Sequence, residues 1–166
     1  LARLIDEAAS DDAVFLPDVG SPVIWAARYL TMNGRRRIIG SFTHGSMANA
    51  LSQAIGAQAA APGRQVIALA GDGGLSMLMG ELLTLVQHDL PVKVVVFNNS
   101  SYNFVEVEMK ADGYVNFGTD LENPDFSAVA QACGLAGFRA EKSKDLPKAV
   151  TRFLAHEGPA LLDVVT

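Results

Sequence analysis

The 166-residue sequence contains one cysteine, Cys133, which excludes an internal disulfide and any cysteine-rich zinc site and fits a reducing compartment. A single thiol of this kind is expected to behave as a small buried hydrophobe. No apolar run approaches the ~18 residues of a membrane helix, and Leu1 opens neither a basic n-region nor a signal-like apolar core. A soluble protein is therefore expected. Positive charge is scarce: 13 Lys+Arg against 18 Asp+Glu leave a formal charge of −5. The chain thus lacks the basic surface that neutralises a phosphate backbone, and no nucleic-acid partner is expected. Its one basic run, Arg35-Arg36-Arg37, reads as a solvated turn.

What is abundant is apolar surface, at 49% hydrophobic and 19% charged residues, a balance that excludes disorder. A chain of this size buries roughly two-thirds of the surface its unfolded form exposes, enough for one domain without a staple. It opens without Met, directly on a helix-like segment, so a domain of something longer is expected.

Apolar runs bounded by Gly, Pro or Asn alternate with segments of helical spacing, the sign of a parallel sheet covered on both faces. Strands are predicted at Ala13–Leu16, Arg37–Gly40, Gln65–Ala70, Val92–Phe97, Gly137–Ala140 and Ala160–Val165. Helices are predicted at Ala2–Ala9, Pro22–Met32, Met47–Ala60, Leu75–Gln87, Phe126–Ala132 and Leu146–His156. The fold class is α/β, a three-layer arrangement with a six-stranded, mostly parallel sheet and helices on both faces. The runs Val66–Ala70 and Val92–Phe97, the latter broken only by Lys93, are apolar on both faces and belong mid-sheet. Ser100–Pro124 has no sustained period and reads as a functional loop or a short helix with its flanks.

Two polar clusters, Gly71-Asp72-Gly73-Gly74 and Asn98-Asn99, fall at the carboxyl ends of strands that a right-handed crossover places side by side. Either cluster alone reads more readily as turn residues, and their joint placement on adjacent strand ends reverses that reading. Together, Asp72, the amide of Asn99 and a backbone carbonyl after it offer hard oxygen ligands suited to Mg²⁺, with positions left for phosphate oxygens. The glycines let backbone N–H groups approach an anion closely. A P-loop would need a Lys after these glycines, and a Rossmann fingerprint would need Gly or Ala where Ser76 stands and an acid where Asn98 stands. Both fail.

Gly71-Asp72-Gly73, then 24 residues, then Asn98-Asn99 resembles the signature of the thiamine diphosphate-dependent decarboxylase superfamily. Within it, Ser41-Phe42-Thr43-His44-Gly45-Ser46-Met47, Gly71–Gly80 and Leu90–Asn99 are most similar to the pyruvate oxidases that include pyruvate dehydrogenase (quinone), over about Pro17 to Thr166. The resemblance implies that Asp72 and Asn99 bind Mg²⁺ by side chain and Ser101 by its carbonyl, with Gly73 and Gly74 on the diphosphate. It implies cofactor contacts from Gly45, Ser46 and Met47, the Gly45 carbonyl meeting the aminopyrimidine and Met47 wedging the cofactor into a bent shape. An unbranched thioether suits that wedge, although ordinary core at a helix start is an equally good reading of Met47 by itself. Tyr102, Asn103, Phe104 and Val105 would cover the cofactor, with Phe104 a lid or electron-path neighbour. His44 is read as satisfying a loop. Glu106 and Glu108 are read as solvated or interface charges.

The resemblance also implies an enzyme that converts pyruvate to acetate and CO₂, passing electrons through FAD to quinone, in the cytoplasm or peripheral to the inner membrane. It further implies a homo-oligomer, dimer or tetramer, whose activating glutamate comes from an N-terminal domain of a neighbouring subunit. Neither that domain nor an FAD domain is matched here, so the catalytic residues of this chain are unknown and residues 1–166 are expected to be the C-terminal cofactor-binding domain alone, inactive by itself. Alternatives are a domain of an acetolactate synthase-like carboligase and a non-catalytic assembly domain.

Overall fold

The computed structural model describes residues 1–166. Its centre is set by the two apolar runs: β3 (Val66–Gly71) and β4 (Lys93–Asn98) are buried almost end to end because helices cover both faces. They pair in parallel with Ile67 opposite Lys93 and Gly71 opposite Phe97. On one side β1 (Val14–Pro17) flanks β3, with β2 (Arg37–Ile38) at the edge. On the other, β6 (Ala160–Val165) flanks β4 and β5 (Ala136–Ala140) closes the sheet. The order is β2-β1-β3-β4-β6-β5 and every pairing is parallel, which is the predicted three-layer α/β fold. No helix is long and apolar enough to cross a membrane.

The pleat divides the core in two. Val66, Ala68, Ala70, Val94 and Val96 face the cluster covered by α3 (Asn49–Ala60), α5 (Leu82–Gln87) and α7 (Phe126–Ala132). Ile67, Leu69, Val95 and Phe97 face the cluster covered by α1 (Ala2–Ala8), α2 (Ser21–Tyr29) and α8 (Leu146–Ala155). Helix α2 thus leaves β1 toward one face, while the helical segment after β3 leaves toward the other. Between the carboxyl ends of β1 and β3 a crevice opens, the position where open α/β sheets hold ligands.

Several local expectations change. The helix predicted over Leu75–Gln87 breaks into α4 (Asp72–Met77), a 3₁₀ turn at Met79–Glu81 and α5. Leu78 leaves the helical region at φ −127°, ψ 27°, and Gly80 beside it supports a helix poorly. The helix predicted from Met47 starts at Asn49 because Ala48 adopts a left-handed φ of 66°. Strand β2 keeps only two of its four predicted residues, as befits an edge with one neighbour. Of the two readings of Ser100–Pro124, the short helix with flanks is found: α6 spans Asn103–Ala111.

The arginine run is not a solvated turn throughout. Arg36 is buried, pairs with Asp6 at 2.7 Å, and donates to the carbonyls of Asp6, Ala9, Ser10 and Thr31. Its guanidinium stacks over Phe15 at 5.6 Å, so it fastens α1 to the sheet edge. Cys133 is half-buried against the first core cluster rather than fully enclosed. Lys93, the one charge in β4, is buried with its Nζ on the Gly158 carbonyl, and burial lowers its pKa to about 8.

Candidate functional site

A cavity of about 340 Å³ occupies the crevice at the strand ends, within the size range of small-molecule sites. Its floor is Gly71 to Gly74, where β3 runs into α4. Asn99 and Ser101 from the β4 loop, Met47 and Gly45 from the segment before α3, and Val19 and Gly20 after β1 form its walls. Asp72 is 3% exposed, and its two oxygens have unequal work. Oδ2 accepts from the Asn99 N–H at 3.1 Å, the Ser100 N–H at 2.7 Å and the Asn123 side-chain amide at 2.7 Å. Oδ1 accepts only from the N–H of Gly73, at 2.9 Å. A carboxylate has about four lone-pair sites, so Oδ1 retains capacity for a cation.

The loop after β4 turns sharply because Ser100 takes a φ of 55°. Asn99 Oδ1 accepts the Ser101 N–H at 3.1 Å. Ser101 then bridges antiparallel to Asp120 through neighbouring groups, Tyr102 N–H to the Thr119 carbonyl and Leu121 N–H to the Ser100 carbonyl. That pattern leaves the Ser101 carbonyl without a backbone donor. Asp72, Asn99 and Ser101, the residues that carry the three hard oxygens the sequence pointed to, therefore line one cavity. The donor set fits a small hard divalent cation beside a phosphate. No cluster of three or more His, Cys, Asp or Glu side chains offers a softer site.

Side-chain-free backbone matters most at two glycines. A Cβ on Gly73 would run into the ring of Tyr102 and come within 3.2 Å of the Met47 methyl. A Cβ on Gly74 would collide with the carboxylate of Asp18. The floor is thus bare because its neighbours already touch it.

Asp18 is a residue that reading the sequence missed. It directly follows β1, is 1% exposed, and its Oδ1 accepts from Val19 N–H (3.1 Å), Asn49 N–H (3.1 Å) and the Asn49 amide (3.0 Å). The start of α3 has no capping side chain of its own; Asp18 satisfies its orphan donors from another strand. Burial pushes the Asp18 carboxyl above the usual carboxylate range, against these hydrogen bonds. The signal that could have revealed it was a third strand end, Pro17-Asp18, adjacent to Gly71-Asp72 in the sheet. Asn123 is the second omission, since Asn before Pro reads as an ordinary turn.

The remaining predicted residues separate. Gly45, Met47, Asp72, Gly73, Gly74, Asn99, Ser101, Tyr102, Asn103, Phe104 and Val105 all line the cavity. Gly45 adopts φ 71° with its N–H on the Ser41 carbonyl, and Met47 remains 39% exposed. Ser46 does not line it; its N–H is held by Ser41 Oγ at 3.0 Å. His44 is exposed in the same turn and outside the lining. Of the two acids read as solvated or interface charges, Glu108 lines the cavity. Glu106 is tied to Lys110, Ser101 Oγ and Asn116, and the first of these leads in holding its carboxyl below the usual range.

Residues 18–164 match the family described as thiamine pyrophosphate enzyme, C-terminal TPP binding domain. The chain belongs to that family: it is a thiamine diphosphate-binding domain of the thiamine diphosphate-dependent enzymes. Among known proteins it is 39% identical to YdaP of Bacillus subtilis (strain 168), over 99% of this chain and 29% of that protein. It is 36% identical to the pyruvate oxidase of Lactiplantibacillus plantarum (98% of this chain, 28% of that protein) and 34% identical to the mitochondrial acetolactate synthase of Schizosaccharomyces pombe (93% and 23%). The chain spans less than a third of the length of these relatives.

Proposed function

We propose that this chain is the cofactor-binding domain of an enzyme that oxidatively decarboxylates pyruvate, taking pyruvate and water to acetate and CO₂ while two electrons leave through FAD to a quinone. The observation that carries the reading is one cavity in which the oxygens of Asp72, Asn99 and Ser101 adjoin the bare backbone of Gly73 and the thioether of Met47. Thiamine diphosphate, when bound, supplies a carbanion nucleophile and an electron sink that permits loss of CO₂. The chain's own residues bind and orient it. Asp72, Asn99 and the Ser101 carbonyl would hold Mg²⁺ and through it the diphosphate, Gly73 and Gly74 would admit the phosphates, and the Gly45 carbonyl and Met47 would hold the aminopyrimidine. Phe104 and Val105 on α6 exclude water from above.

The activating glutamate and the FAD site belong to other parts of a longer polypeptide, and the pyrimidine side of the cavity is completed by an N-terminal domain of a neighbouring subunit in a homo-oligomer. In this reading the enzyme works in the cytoplasm, peripheral to the inner membrane where it meets quinone. A second reading, an acetolactate synthase-like carboligase, is favoured by the 34% identity to the yeast synthase.

Calorimetric titration with thiamine diphosphate, with and without Mg²⁺, tests the site. Binding should require Mg²⁺, and Asp72→Ala should abolish that dependence, a loss of about 3–5 kcal/mol by analogy with removing one partner of a buried charge pair. Unchanged Mg²⁺-dependent affinity in the variant would refute the assignment. In the complete enzyme, acetate with quinone reduction supports the oxidase and acetolactate the carboligase. The 166-residue chain alone should form neither.

A further inference from the structure

A line of buried polar side chains leaves the site and crosses the sheet to its far edge. Asn123, half-buried in the segment before α7, gives one side-chain amide nitrogen to two acceptors, Asp72 Oδ2 at 2.7 Å and Asn98 Oδ1 at 2.9 Å. Asn98, at the end of β4, donates its own amide to Asp163 Oδ1 at 2.9 Å. Asp163 lies in β6 with no exposed surface, and its Oδ2 accepts from the Phe126 N–H at 3.3 Å and from the guanidinium of Arg139 on β5. Arg139 reaches the surface, where Glu141 at 2.9 Å and Asp125 at 3.6 Å also meet it.

The direction of each bond is forced. Asp163 can only accept when ionised, so Asn98 must turn its NH₂ toward Asp163 and its oxygen toward Asn123. The NH₂ of Asn123 then has one hydrogen for Asn98 and one for Asp72. At Asp72 Oδ2 the other two donors are backbone N–H groups of the Asn99–Ser100 turn, which move with that turn. Asn123 is thus the one side chain that fixes the carboxylate, and it leaves Oδ1 with a single hydrogen bond.

We propose that Asn123 is the positioning residue for the metal-binding carboxylate of Asp72, and that Arg139, through Asp163 and Asn98, sets its orientation from the opposite edge of the sheet. This rests on the assignment of Asp72 to Mg²⁺. Outer-shell partners of metal ligands matter because they hold the ligand in its binding orientation before the cation arrives, and losing one typically weakens metal affinity about 10–100-fold.

The experiment compares wild type, Asn123→Ala, Arg139→Gln, the double variant and Leu121→Ala, each titrated calorimetrically with thiamine diphosphate across a Mg²⁺ series at temperatures where melts show every variant folded. Leu121 is half-buried in the same segment and has no part in the polar line, so trimming its side chain in Leu121→Ala reports what loosened packing alone does. Asn123→Ala should raise the Mg²⁺ midpoint about tenfold and Arg139→Gln about threefold, the smaller effect reflecting its distance along the line. The double variant should match Asn123→Ala alone, because both act on one path. A shift under twofold in Asn123→Ala, an equal shift in Leu121→Ala, or additive effects in the double variant would overturn the proposal. Wild type that binds thiamine diphosphate without any need for Mg²⁺ would instead sink the metal assignment. The line is then judged in the ligand-free protein by nuclear magnetic resonance. There Arg139→Gln should speed exchange of the Asn123 side-chain amide protons, and unchanged exchange would refute the coupling.

Discussion

Replacing Asp18 tests whether the site is held together by a carboxylate outside the cofactor motifs. In Asp18→Ala the side-chain amide of Asn49 keeps the Ser46 carbonyl at 2.9 Å, but the N–H groups of Val19 and Asn49 lose their acceptor, the first half-buried and the second buried. Each orphaned buried donor costs about 1–3 kcal/mol. Water entering the vacated space offsets part of that, so about 2–4 kcal/mol of stability should be lost. Asp18→Asn keeps an oxygen for the same donors and should fall within about 1 kcal/mol of wild type. The two variants also differ in pH dependence. Because burial raises the Asp18 carboxyl above its unfolded value of 3.8, the folded protein holds that proton longer than the unfolded chain. Wild type therefore loses stability as pH rises from about 3.8 through the raised folded value, and Asp18→Asn should lack that portion of the slope. Urea unfolding followed by the fluorescence of Trp25, the single tryptophan, at several pH values measures both effects. Asp18→Ala within about 0.5 kcal/mol of wild type, the ordinary scatter of surface substitutions, would refute the capping argument.

If Met47 shapes the cofactor, Met47→Leu should cost less than about 1.5 kcal/mol in cofactor affinity, because volume is nearly conserved, while Met47→Ala should cost clearly more. Equal affinities for the two variants in a thiamine diphosphate titration would make Met47 ordinary packing. Lys93 makes the opposite kind of prediction: its pKa falls to about 8 on burial, so the folded state gives up a proton that the unfolded chain keeps until about 10.5. The cost of burying this charge is fully present below pH 8 and fades between about 8 and 10.5. Lys93→Met should therefore raise the melting temperature at pH 7 by a few degrees, roughly the effect of 1 kcal/mol in a domain of this size. That gain should vanish by about pH 10.5; a gain independent of pH would show that shape, not charge, is responsible.

The sheet and the location of its site were legible in the residues because both depend on short-range chemistry. Short apolar runs rich in β-branched residues at Val66–Ala70 and Val92–Phe97, the second broken only by Lys93, read as strands covered on both faces. Gly71-Asp72-Gly73 and Asn98-Asn99 end those strands, and parallel pairing alone then brings them to one mouth. The break at Leu78 was not legible, since an apolar residue with good helix propensity carries no stop signal and a single glycine such as Gly80 is tolerated inside a helical pattern. Neither was the fate of single charges. Arg36 lies in a run that reads as solvated, yet five hydrogen bonds to carbonyl and carboxylate oxygens draw it inside.

Asp18 and Asn123 mark the same boundary at the site itself. Asp18 meets Asn49 across 31 positions and Asn123 meets Asp72 across 51. A hydrogen bond between residues so far apart leaves no periodicity or spacing in the chain. The candidate ligand oxygens were written in the sequence, but their orientation depends on donors that only the packed sheet and its loops bring within reach, because a buried carboxylate takes its geometry from whichever N–H groups surround it.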